Sequence, residues 1–214
     1  MVRIDMHVHT EYSPDCATTL QEVINTARAM HLDYVAITDH NRVEGALRLR
    51  EMAPQKIIVG EEIKTTGGEV IGLFLEKYIP PRLSPEDTVA KIKEQGGLVY
   101  IPHPFDRLRK SPLKAEKLLS ILSQVDILEV QNSRCLLRAD NQRAETFAVQ
   151  HQLLRGAGSD GHIAAEIGAS FVEMSPFESK EQFLQNLQTG RVVGRYSGVL
   201  VHFVSTWNKF RKKR

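Results

Sequence analysis

Short apolar runs alternate with segments of helical periodicity along nearly the whole chain, and few folds accommodate that pattern. The runs are Val2–Met6, Tyr34–Thr38, Lys56–Gly60, Val70–Leu75, Leu98–Ile101, Ile127–Val130, Gly156–Gly158 and Ser170–Val172. Several are near-continuously apolar, as strands covered on both faces should be. Between them, Thr19–Met30 sets Leu20, Val23, Ile24 and Ala27 at helical spacing behind a threonine cap. A second helix opens at Asn41 or Glu44 and runs to about Met52. Ser84-Pro85-Glu86-Asp87 is a strong helix start, with Gly96-Gly97 as its stop. Leu113–Leu122, Ala139–Gln152 and Ser179–Gln188 complete the helical series. Such alternation predicts a parallel α/β fold. Eight strand signals in a chain of 214 residues predict a barrel shorter or more distorted than the regular eightfold one of about 250 residues. With no linker, low-complexity segment or repeat, a single domain is expected.

The formal charge is +2, and the last eight residues carry five positive charges, leaving the body at −3. A slightly acidic body is not a general nucleic-acid-coating surface. Two cysteines, Cys16 and Cys135, cannot build a disulfide framework. Asp5 and His7 interrupt the first apolar run, and no stretch reaches the roughly 20 apolar residues of a membrane helix. The expectation is a cytoplasmic protein with no integral membrane segment; nothing in the composition specifies an oligomeric state.

The histidines carry the chemistry. Five of eight lie just past the carboxyl end of an expected strand: His7 and His9, His40, His103 and His162. In α/β barrels that rim is where active sites are built. Carboxylates follow the same rule, with Asp39 beside His40, Glu61 and Glu62 after the third strand, and Asp160 two before His162. Imidazoles and carboxylates converging on one rim suit a multi-metal site. One His-x-His alone would be weak evidence; the case rests on several further elements that each close an apolar run.

The set His7-Val8-His9, Thr38-Asp39-His40, Gly60-Glu61-Glu62, His103-Pro104 and Ser159-Asp160-Gly161-His162 resembles the PHP (polymerase and histidinol phosphatase) family. The resemblance spans about residues 1–195, leaving 196–214 as a C-terminal extension ending in the basic tail. It implies a distorted (β/α)7 TIM-like barrel and a phosphoesterase using two or three divalent ions, Mn²⁺, Zn²⁺, Fe²⁺ or Mg²⁺. Carried over residue by residue, His7, His9, Glu62 and Asp160 would hold one metal. A second would share Glu62 as bridge and take His103 and Asn132. A third would take Asp15, His40 and His162. Of the adjacent acids, Glu62 fits the spacing, and Glu61 would point to the opposite face of the pleat.

Asn132 departs from the pattern, since the family commonly has a histidine there. A carboxamide oxygen is a weaker donor, suited to Mn²⁺ or Mg²⁺ rather than Zn²⁺. About two dozen residues separate His103 from Ile127, too few for a substrate-capping insertion, so an open site is expected. Metals bridged by a carboxylate activate water and stabilise a leaving oxygen. Catalysis would then rest on Glu62 and Asp160, with Arg134 as first choice for the phosphate clamp and Arg42 and Arg107 next. The implied substrate is a phosphorylated small molecule, a nucleotide or an oligonucleotide end, with nucleic acid engaged through the tail as a minority reading.

Other residues have blander assignments. His31 and His151 are read as helix-end residues and Cys16 and Cys135 as packing. Asp39 is expected to orient His40 or cap the following helix, Gly67-Gly68 to form a hairpin turn, and His202 to lie in a late strand, Val199–Val204. Two alternatives stand beside the phosphoesterase: a metal-dependent amidohydrolase, which generally adds a strand-end lysine that no equivalent position has here, and a catalytically silent metal-binding module.

Overall fold

The computed structural model describes residues 1–53, 56–109, 111–198 and 200–211. The first strand, β1 (Val2–Val8), is followed by α1 (Leu20–Ala29), β2 (Tyr34–Ile37), α2 (Glu44–Met52) and β3 (Ile57–Lys64). Next come β4 (Glu69–Leu73), α3 (Pro85–Glu94), β5 (Leu98–Ile101), α4 (Ala115–Ile121), β6 (Ile127–Asn132), α5 (Arg138–Gln150) and β7 (Leu154–Gly158). The chain ends with β8 (Ser170–Met174), α6 (Lys180–Leu187), β9 (Arg191–Gly194) and α7 (Leu200–Arg211). Local chemistry sets the helix starts. Thr19 and Glu22 form a reciprocal capping box on α1, and Ser84 caps α3 with Pro85 in its first turn.

The strands form one sheet in the order β7-β6-β5-β4-β3-β2-β1-β8-β9. Pairs β1–β2, β2–β3, β5–β6 and β6–β7 are parallel. The expectation of a uniformly parallel sheet does not hold, because β4 runs antiparallel to both neighbours and β8 and β9 are antiparallel too. The connections explain this. Only Thr65–Gly68 join β3 to β4, far short of the dozen residues a parallel crossover needs. This is the expected Gly67-Gly68 hairpin turn, closed by the Thr65 amide on the Gly68 carbonyl (2.8 Å). No α-helix separates β7 from β8, so β8 returns down the sheet beside β1. The nine described strands therefore exceed the count of a simple (β/α)7 repeat.

The sheet curls until its first strand meets its seventh. Asp160 N–H donates to the His7 carbonyl (2.7 Å) and His9 N–H to the Gly161 carbonyl (3.0 Å). Gly158 permits the approach, since a Cβ there would lie 2.3 Å from His7 Cβ. Asp5, buried beneath, ties the seam by accepting from Ser159 N–H (2.9 Å) and Gly168 N–H (2.8 Å). The result is a nearly closed barrel with two apolar layers. Ile4, Met6, Ile71, Tyr100 and Ile127 fill the inside, where α6 adds Phe183 and Leu187. Outside, α1 to α5 pack residues such as Val23, Leu49, Ile92, Leu118 and Ala148 onto Ile37, Val59, Val99 and Leu128.

One late element differs in kind. The expected strand Val199–Val204 is not formed; residues 200–204 belong to α7, and Val199 lies outside the described residues. The Val201 carbonyl and the Ser205 hydroxyl both accept from Arg134, while Phe203 and Trp207 are exposed. The side chain of His202 and residues 212–214 of the tail lie outside the described residues. No helix among the described residues is long and apolar enough to cross a membrane.

Candidate metal centre

His7 on β1 and His9, one residue past its end, are two apart along the extended chain and share a face. Both are fully buried at the rim. His7 is fixed from behind: Nδ1 meets Glu129 Oε1 (3.1 Å), so Nε2 faces the centre. Its Nε2 lies 3.5 Å from Glu62 Oε2 and 3.6 Å from Asp160 Oδ1. His9 Nε2 lies 3.4 and 3.3 Å from the same two oxygens. Burial alone would lower the His7 imidazole, but the charges of Asp160, Glu129 and Glu62 hold it well above its ordinary value. Burial, reinforced by His162 and His40, drives His9 well below its own.

The connections after β2 and β7 and the loop after β1 complete one side. His9 is flanked by the rings of His40 and His162, with centroids 4.5 and 4.1 Å away. His40 Nδ1 lies 2.9 Å from Glu62 Oε2, and its Nε2 lies 3.5 Å from Asp15 Oδ2. His162 Nε2 lies 3.4 Å from Asp15 Oδ1. These two imidazoles, acting against the burial cost, hold the Asp15 carboxyl far below the usual carboxylate range. On the other side, His103 Nε2 lies 3.1 Å from Glu62 Oε1. His103 and Asp160 both adopt positive φ, 31° and 53°. Backbone bonds hold these conformations, from His103 N–H to Glu129 Oε2 (2.7 Å) and from Asp160 N–H to the His7 carbonyl.

Three buried carboxylate oxygens, Asp15 Oδ1, Glu62 Oε2 and Asp160 Oδ1, have no hydrogen-bond partner. All three face imidazole nitrogens at the separations quoted above. Ligands roughly 2.0–2.2 Å from a cation stand about 3 Å or more apart, so the spacing fits cation binding. Ligand atoms converge in four groups: His7-His9-Asp160, His7-Glu62-His103, His9-His40-His162 and His40-Glu62-Glu69. Burial would raise Glu62, yet His40 and His7 hold it well below its ordinary value. Arg109 and His7 do the same for buried Asp160.

Glu62 faces this cluster, and Glu61 turns away to accept from Ile79 N–H (3.0 Å), where burial pushes its carboxyl up to about 8. Asn132 requires a correction. Its Oδ1 accepts from Arg134 N–H (2.8 Å), while its Nδ2 donates to Glu129 Oε2 (2.9 Å) and Asp160 Oδ2 (3.2 Å). An amide N–H can only donate and a carboxylate can only accept, so the orientation is set and the oxygen points away from the expected metal position. Asp39 differs as well. It accepts from Thr10 N–H, Thr10 Oγ1 and Ser13 Oγ (2.7, 2.7 and 2.9 Å), and Ser13 Oγ lies 3.0 Å from His9 Nδ1. Asp39 thus secures the His9 loop; α2 is preceded by Val43, which makes no side-chain cap.

The cations are also rearranged. Arg134 is buried, with Nε 3.6 Å from Glu166 Oε1 and Nη2 donating to Ser205 Oγ (2.8 Å) and the Val201 carbonyl (3.3 Å) of α7. Arg107 is 59% exposed and pairs with Asp140, and Arg42 is exposed. Arg109, absent from the expected set, donates directly to Asp160 Oδ2. Glu129 was absent too, although it organises His7, His103 and Asn132 from below. Its signal was present: a carboxylate inside the apolar run Ile127–Val130 must be buried with partners. A cleft of about 420 Å³ opens over the cluster, lined by Asp15, His40, Glu69, Arg109, Arg134 and His162, with Lys64, Ser205 and Thr206 on its wall. His31 follows the end of α1, His151 ends α5 against Phe147, and both cysteines are buried thiols.

Several known proteins are similar to this chain in sequence or fold. An uncharacterized protein of Methanocaldococcus jannaschii is 33% identical over 177 residues, 81% of this chain and 71% of its own length. Among solved structures, the fold is similar to a Bacteroides vulgatus two-domain protein "containing predicted PHP-like metal-dependent phosphoesterase" (TM-score 0.70, 16% identity). That match covers 91% of this chain but 65% of the larger protein. A Chromobacterium violaceum protein described as an amidohydrolase is also similar (TM-score 0.66, 17% identity, 89% of this chain and 97% of that one). The family model described as PHP domain matches residues 5–144, and that described as PHP-associated matches residues 138–192, so the chain belongs to the PHP domain family.

Proposed function

We propose that this protein is a metal-dependent phosphoesterase. The observation that supports this best is the set of three buried, unpartnered carboxylate oxygens among five imidazoles, opening into a cleft walled by Arg109, Arg134 and Lys64. Two or three divalent cations, Mn²⁺, Zn²⁺, Fe²⁺ or Mg²⁺, would supply Lewis acidity and an acidified water at neutral pH. His7, His9, Glu62 and Asp160 would hold one; Asp15, His40 and His162 another; Glu62 and His103 belong to a third. Glu129 and Ser13 orient His7 and His9 from outside the cluster. Arg109, already charge-paired with Asp160, can reorient one edge of its guanidinium to a phosphoryl oxygen, and Arg134 is the second clamp.

The substrate class is a phosphate ester: a nucleotide, an oligonucleotide end or a small metabolite phosphate. The catalytic unit is assigned to residues 1–195, with 196–214 as an extension. Buried, unpaired thiols favour the cytoplasm. The amidohydrolase reading shares the barrel and the strand-end histidines, but three basic side chains on the cleft wall suit an anionic substrate better. Assaying p-nitrophenyl phosphate and its bis-ester beside a lactone and hydantoin panel, each with and without added Mn²⁺ or Zn²⁺, separates the readings. Metal-dependent release from either phosphate ester supports the proposal; turnover confined to the lactone or hydantoin panel overturns it.

A further inference from the structure

The corner of the cluster beside Glu62 and His103 lacks a third ligand from the residue expected to provide one. Asn132 cannot turn its oxygen there without setting its NH₂ against Arg134 N–H and its oxygen against the Glu129 and Asp160 carboxylates. Opposite, a carboxylate that no strand-end rule would select faces the same corner. Glu69 opens β4, paired with Lys64 across the hairpin. Because β4 is antiparallel, its first residue lies at the rim where the parallel strands end. The short Thr65–Gly68 turn returns it there. Glu69 is 7% exposed, and its Oε2 lies 3.9 Å from His103 Nε2. One ligand atom from each of His40, Glu62 and Glu69 falls within 4.8 Å of the others. Of the two Glu62 oxygens, Oε1 faces His103 (3.1 Å), and Oε2, fully buried and without a hydrogen-bond partner, faces His40 (2.9 Å), so Glu69 stands beside a carboxylate that looks both ways.

We propose that Glu69 is a metal ligand, completing with Glu62 and His103 the cation position that Asn132 does not serve. The inference rests on the metal-dependent reading above. With two carboxylates and one imidazole, this position has a larger share of oxygen donors than the other two, so its ion should be the one that prefers Mn²⁺ over Zn²⁺. Asn132 becomes a positioning residue that spaces the Glu129 and Asp160 carboxylates.

The test is metal binding, read without turnover. Protein stripped by chelator is dialysed to equilibrium against graded Mn²⁺, and bound metal is counted by mass spectrometry for the parent, Glu69→Gln, Glu69→Asp and Asn132→Ala. Glu69→Gln should bind one fewer ion per chain, or bind that ion more weakly by more than the roughly 10–100-fold that loss of an outer partner costs. Glu69→Asp keeps the charge but loses reach, and should show a smaller loss of the same ion. Asn132→Ala should keep the parent stoichiometry. In chelator, Glu69→Gln should melt no lower than the parent, because it removes a buried charge without removing a structural bond. Parent-like Mn²⁺ binding by Glu69→Gln, or loss of the ion in Asn132→Ala with Glu69→Gln unaffected, overturns the Glu69 assignment alone. A parent that binds no divalent ion overturns the metal reading and this inference with it.

Discussion

Glu62 carries more of the site than any other side chain. Its two oxygens lie within 3.5 Å of imidazole nitrogens from His7, His9, His40 and His103. Glu62→Gln keeps the shape and removes the bridging charge, so turnover should fall by at least about 10²-fold, the scale on which removal of one electrostatic stabiliser acts. His31→Ala, beyond the end of α1, should leave turnover unchanged; steady-state kinetics on one phosphate ester compares the two. Its neighbour Glu61 makes a separate prediction about stability. Burial raises its carboxyl from 4.5 to about 8, so the folded state binds a proton that the unfolded chain releases. The stabilisation linked to that proton is fully present below pH 4.5 and is lost as pH rises towards about 8. Glu61→Gln should flatten that decline and melt higher than the parent above pH 8. Melting curves from pH 5 to 9 would show it, and parallel curves for the two proteins would refute it.

At the scale of elements, the antiparallel departures matter most. Turning β4 over brings Glu69 to the rim, and returning β8 beside β1 lets Asp5 and Asp160 close the barrel seam. The helix α7 makes a third contribution. Ser205 and the Val201 carbonyl hold Arg134, and Ser205 and Thr206 line the cleft. Deleting Trp207–Arg214 spares these contacts and should leave turnover of p-nitrophenyl phosphate unchanged. Deleting from Leu200 releases Arg134 and should raise KM. Phe203 and Trp207 are 68% and 70% exposed, and in sequence they lead into the basic tail. If that stripe contacts an oligonucleotide, the shorter deletion should weaken binding and flatten its salt dependence; equal affinities in filter binding would reject the contact.

At the scale of the whole molecule, the proposed metal binding should couple to folding. Buried carboxylates and imidazoles from β1, β3 and the loops after β1, β2, β5 and β7 meet at one rim, where bound cations would neutralise the carboxylates and engage the imidazole nitrogens. An ion that binds the folded state alone stabilises it by about 2.7 kcal/mol at 100 times its Kd. For a chain of this size, each kcal/mol shifts Tm by roughly 2–4 °C. Chelation should therefore lower Tm by several degrees and abolish turnover together, with both restored by added Mn²⁺. A Tm indifferent to chelator would dissociate the cluster from metal.

Much of this was legible in the chain. The strand positions, the α1 and α3 caps and the strand-end motifs containing His7, His9, His40, Glu62, His103, Asp160 and His162 depend on local chemistry and on a period of two or 3.6. Such signals survive without knowledge of neighbours. Three things were not legible. Val199–Val204 alternates like a strand, yet residues 200–204 are helical in α7, whose Val201 carbonyl and Ser205 hydroxyl accept from Arg134. The direction of β4 depends on a four-residue turn, and that direction decides that Glu69, at the start of a strand, stands among residues at the ends of others. Whether Asn132 offers oxygen or nitrogen is set by Arg134 N–H and Glu129, which are local, together with Asp160, which another strand end supplies. Residue type and spacing determine which groups can ligate. Strand direction and the hydrogen-bond partners supplied by distant segments determine which of them face one another.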